Sequence, residues 1–121
     1  VGQQSSLNQV QWPAVVKLHG EDELVFIANQ SGFELNPQLQ AMQFQHQDVL
    51  IDSVGCVFNI SSSNLLSLRP ADSRLSLDDV IALIRLHLAS KDICCVSKFY
   101  AHTIADAYEA VFMRMIRLKR I

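Results

Sequence analysis

Four side chains able to ligate a metal or attack a substrate fall in one window of the sequence: His87, Cys94, Cys95 and His102. Six residues separate His87 from Cys94, and six separate Cys95 from His102. Two thiolates and two imidazoles satisfy a tetrahedral zinc ion. The same residues could form a cysteine–histidine nucleophile pair, given an exposed thiol and a third group to orient the base. The spacing argues against the metal. Structural zinc sites favour cysteines with two to four residues between them, and neighbouring side chains of an extended segment point to opposite sides. For Cys94 and Cys95 the structural alternative is small apolar filler. For His87 it is an interior imidazole bonded to a backbone carbonyl, or one at an exposed helix end.

The remaining chemistry-bearing residues are sparser. Asp48, Asp52 and the run Glu21–Glu23 could meet at one end of a sheet as an acid pair or cation site, against the alternative of acidic turns facing water. No G-x-x-x-x-G-K, G-x-G-x-x-G or G-x-S-x-G pattern occurs, and four glycines leave little material for a phosphate cradle. The basic end RMIRLKRI could touch phosphate or an anionic membrane surface. Its four charges are few, however, and no aromatic residue is interleaved with them, so nucleic acid is not an expected partner. Met113 and Ile116 carry a different signal. They fall outside the apolar stripe of the helix that contains them, as expected of a helix with a second partner such as another copy of the chain.

The elements that position these residues follow from apolar spacing. SLDDVIALIRLHLASK (76–91) is the central helix. Ser76 can accept from the N–H of Asp79, and Asp78 and Asp79 suit the positive end of the helix dipole. Leu77, Val80, Ile81, Leu83, Ile84 and Leu88 spread over more than half its circumference, which predicts a rod covered on most sides, with His87 in the middle of the apolar arc. Thr103 and Asp106 repeat the start signal for a second helix, whose stripe is Ile104, Tyr108, Val111, Phe112, Met115 and Leu118. The runs AVVKL (14–18) and ELVFIA (23–28), joined by a glycine-containing polar turn, read as a hairpin. Both of its faces carry apolar residues, which implies cover on more than one side.

Asn36–Pro37 is a helix entry, with Leu39 and Met42 facing the core as far as about Phe44, although the alternation in QLQAMQFQHQ also permits extended chain. DVLIDSVGCVFNI (48–60) reads as a second hairpin. A four-residue loop Asp52–Gly55 pairs Ile51 with Cys56 and segregates polar from apolar residues; a three-residue loop pairs Asp52 with Cys56 and mixes them. Residues 61–75 read as a connector in which Leu65, Leu66 and Leu68 pin a turn or short strand to the core, and Ile93–Val96 as a short strand.

At 121 residues, half of them apolar, the chain can bury a core without staples, and its 18% charged residues are ordinary for a globular protein. No apolar run approaches the roughly 20 residues of a membrane span. No secretory signal opens the sequence, although Val1 in place of Met is compatible with processing. An odd set of cysteines fits a reducing cytoplasm better than a disulfide scaffold. Residues 1–60 hold one base against six acids, and the later half holds nine bases against six.

The segments DVLIDSVGCVFNI, LSLDDVIALIRLHL and TIADAYEAVFMRM together resemble a small bacterial domain family of unknown function, over about residues 12–116. The resemblance implies a bacterial cytoplasmic origin and a stand-alone domain, and supplies no catalytic motif. The expected architecture is α+β. A mainly antiparallel sheet from two β-hairpins carries two C-terminal helices packed on one face, preceded by a flexible tail over 1–11. The expected function, reached by elimination, is a non-enzymatic protein-interaction or regulatory module without a cofactor, self-associating through its C-terminal helix at Met113 and Ile116.

Overall fold

The structure, a computed structural model, describes residues 9–61, 66–93 and 96–119, with side chains through position 112. Cys94 and Cys95, Leu65, and the side chains of Met113 and Ile116 lie outside the described residues. Five strands form one antiparallel sheet: β1 (Ala14–Lys17), β2 (Leu24–Ile27), β3 (Val49–Ile51), β4 (Cys56–Ser61) and β5 (Ser67–Arg74), in the spatial order β2-β1-β3-β4-β5. Two short helices, α1 (Gln30–Glu34) and α2 (Pro37–Gln40), separate β2 from β3. The long helices α3 (Leu77–Ser90) and α4 (Ile104–Lys119) follow the sheet, as expected.

α3 begins where the sequence places it. Ser76 Oγ accepts from Asp79 N–H at 3.1 Å, and Asp79 Oδ2 accepts from Ser76 N–H at 3.0 Å, a reciprocal capping box. Val80, Ile81, Ile84 and Leu88 pack with Val15, Ile51 and Val57 of the sheet and with Ile104, Ala107, Tyr108 and Val111 of α4. The helix lies on the sheet rather than inside the molecule. Leu77, Val80, Ile81, Leu83, Ile84 and Leu88 are buried or half-buried, whereas Leu86 remains 49% exposed and Asp78, Ala82 and Ala89 also face water, so the cover is less complete than that of an interior rod.

The other sheet face has its own cover. Phe33 of α1 and Leu39 of α2 are fully buried against Ala14, Val16, Ile27, Leu50, Phe58 and Ile60, with Val10 beside them. Cover on both faces is what the two-sided apolar pattern of the first hairpin requires. Asn36 Oδ1 accepts from Leu39 N–H at 3.0 Å with Pro37 in the first helical position, as its sequence suggests. That helix stops at Gln40, short of the expected Phe44.

Three expectations are corrected. The second hairpin adopts the register set aside above, with Leu50 opposite Phe58 and Ile51 opposite Val57. Asp52 and Cys56 then close a three-residue loop. The connector 61–75 holds more than a turn or short strand: β5 is an eight-residue edge strand, in which Pro70 is tolerated because its missing donor faces no neighbouring strand. Ile93 does not open a strand: Asp92 (φ 58°) ends α3, Ile93 N–H returns to Leu88 O at 3.1 Å, and a 3-10 turn runs over Val96–Lys98. Before Trp12, Val10 is buried and Gln11 N–H donates to Asp52 Oδ2 at 3.1 Å.

Candidate functional site

His87 sits in the last turn of α3, 2% exposed, where the helix crosses the edge of the sheet. Its Nδ1 accepts a hydrogen bond from the backbone N–H of Leu24 at 2.9 Å. The partner is thus a backbone amide rather than the carbonyl the sequence suggests. An accepting Nδ1 requires the neutral ring with its proton on Nε2. Burial lowers the pKa of the imidazole, the nearby Lys91 ammonium lowers it further, and Glu23 opposes both. Glu23 and Lys91 are paired across the same junction, Nζ to Oε2 at 2.6 Å. The Lys91 hydrogen bond and charge hold the Glu23 carboxyl below the usual carboxylate range. Phe26 meets the imidazole at a tilt of 60° and a centroid distance of 5.1 Å, and meets Tyr108 and Phe112 of α4 edge-on at 6.1 and 5.5 Å. Phe26 of β2 is therefore the hub through which the other three rings join α3 to α4.

The two buried carboxylates do not form an acid pair. Asp48 precedes β3 and Asp52 follows it, so the strand holds them roughly 13 Å apart. Asp48 accepts from His19 N–H and Gln45 N–H, both at 2.7 Å. Asp52 accepts from Gln11, Val54 and Cys56 N–H at 3.1, 3.0 and 2.9 Å. Each carboxylate thus saturates the loop donors at one end of β3. The phenol of Tyr108, fully buried, donates to Ile51 O at 3.2 Å, and desolvation with the negative charge of Asp52 drives its pKa upward.

The family profile of DUF4144, described as a protein structure with unknown function, matches residues 12–111. The chain belongs to that family. The DUF4144 match takes in β1 through Val111 and therefore contains His87, Asp48, Asp52 and Tyr108. A solved structure agrees with it: an NMR structure of a protein from Shewanella amazonensis is 28% identical, with a TM-score of 0.67, over 87% of this chain and 90% of that one. No curated protein matches.

His102 has a different setting from His87 within the DUF4144 fold. It is exposed and meets the ring of exposed Tyr100 edge-on at 5.9 Å. Among the described residues no three histidine, cysteine, aspartate or glutamate side chains gather closely enough to hold a metal ion. One feature that sequence reasoning missed is a groove of about 380 Å³ beside the edge strand, lined by Cys56, Phe58, Pro70, Asp72 and Arg74 together with Gln9. It opens where the β4–β5 pairing slips between Cys56 and Phe58 and where Asp72 takes φ 55°. Arg74 Nε is tied to Val54 O at 3.0 Å. Pro70 within a polar run is the local signal of that edge, but the slip in register has none.

Among the described residues no helix is long and apolar enough to cross a membrane.

Proposed function

We propose that this DUF4144 chain is a non-enzymatic interaction module of a bacterial cytoplasm that pairs with a second copy of itself through the end of α4. The observation that carries the reading is the length of that helix. The family match ends at 111, and Val111 is the last residue of α4 in the described core, yet the helix continues to Lys119. At 1.5 Å per residue the extension is about 12 Å long. Its sequence places Met113, Met115, Ile116 and Leu118 among Arg114, Arg117 and Lys119, the composition of an amphipathic contact surface. Non-enzymatic action is supported by the uses found for Asp48, Asp52, His87 and Tyr108, each of which bonds a backbone group.

Sedimentation velocity over a hundredfold concentration range tests the reading. The wild-type chain is expected to move from monomer to dimer. Met113→Asp with Ile116→Asp is expected to remain monomeric with an unchanged circular dichroism spectrum. A wild-type chain that stays monomeric at the highest concentration removes self-association.

A further inference from the structure

β2 is an edge strand, and an edge exposes alternate N–H groups on which a further strand can be templated. Leu24 lies opposite Lys17 of β1, but its N–H leaves the sheet and ends on His87 Nδ1, in a residue 63 positions away. The edge donor is thus capped by a buried side chain of α3. We propose that His87 is a proton-operated latch: the neutral ring holds the Leu24 N–H and closes the sheet edge, and the protonated ring releases it.

The argument is one of donors and acceptors. Both nitrogens of an imidazolium are donors, so a proton on Nδ1 confronts the Leu24 N–H with nothing to accept it. The charged ring would also be buried against Phe26. Among the described residues the charged groups that act on the ring are Glu23, entering β2, and Lys91, at the end of α3; beyond Phe26, Tyr108 of α4 is a neutral phenol. Glu23 and Lys91 are bonded to each other, so their effects on the ring oppose, and desolvation dominates. Its direction fixes the pH window. Just below 6.5 the unfolded chain binds a proton that the folded chain refuses, so the contact is fully held above 6.5 and weakens as pH falls.

Amide-resolved NMR of the intact chain between pH 8 and pH 4 tests the latch. The Leu24 amide proton is expected to move upfield with the midpoint of the His87 ring carbons, below 6.5, and its exchange protection to fall at least tenfold while the central strands β1 and β3 keep theirs. In His87→Asn the amide oxygen can accept near the place of Nδ1 without titrating, and the Leu24 response is expected to be flat. A Leu24 amide that ignores the His87 titration overturns the proposal. So does protection lost at the same midpoint throughout the sheet, or a folded His87→Asn variant that repeats the wild-type transition. If that variant does not fold, the wild-type titration decides.

Discussion

Asp52 makes the strongest demand on its surroundings of any single side chain here. Its two oxygens take three backbone N–H groups from two segments, the chain before β1 and the loop between β3 and β4. Asp52→Asn keeps the volume but turns one oxygen into a donor facing another donor, and it removes the charge that strengthens all three bonds. Unfolding in urea should show a loss of about 2–4 kcal/mol, whereas Asp78→Asn, on the exposed face of α3, should stay within about 0.5 kcal/mol. The sequence singles out Asp48 and Asp52 correctly as turn acids but reads them as facing water. Their burial depends on Gln11 and His19, partners too far along the chain for any local pattern to show. For His87 the helical arc does predict an interior ring, because a wheel records depth. It does not record which donor arrives from another element, and the amide of Leu24 took the place expected of a carbonyl.

At the scale of the element, the hairpin β3–β4 shows how a local rule is overruled. Segregation of polar from apolar residues selects a register only when one face meets water. Here both faces are covered, so Leu50 and Phe58 go to one core and Ile51 and Val57 to the other. The polar Asp52 is satisfied by the loop it closes. Gly55 completes that loop at φ 90°, and its carbonyl accepts from Leu75 N–H at 2.8 Å. A β-carbon added there would stand 2.2 Å from Leu75 O. Gly55→Ala should therefore cost about 2–4 kcal/mol, from the left-handed backbone and the collision together, read as a fall in thermal midpoint; Gly20→Ala, at φ 79° in open space, should cost only about 1 kcal/mol. Helix starts at Ser76, Asn36 and Thr103 were legible because a cap is settled within three residues. The length of β5 was not, because only Leu68 of its eight residues is buried and an edge tolerates almost any sequence.

For the molecule as a whole, the sheet is the middle layer of three, and the cover formed by α1 and α2 is the least predictable part. The five-residue α1 carries too few periodic positions to announce itself, and the four-residue α2 is betrayed only by its Asn36–Pro37 entry. Yet Phe33 and Leu39 are as deeply buried as Ile84 of the long helix. Phe33→Ala should accordingly destabilise the chain by about 3–5 kcal/mol in urea unfolding, with no change in the self-association attributed to α4, because Phe33 packs in one cluster and the described buried residues of α4 in the other. The order β2-β1-β3-β4-β5 brings a further consequence. Every strand pairs with its neighbour in the chain except along one line, where β1 meets β3, and the whole stretch carrying α1 and α2 must be looped out before Val16 can reach Leu50. Closing that loop costs entropy before any contact rewards it, while the hairpin and the three-strand meander on either side form from nearby residues. Assembly should therefore finish at the centre of the sheet rather than at its rim, with two preformed halves zipping together along their shared interior strands.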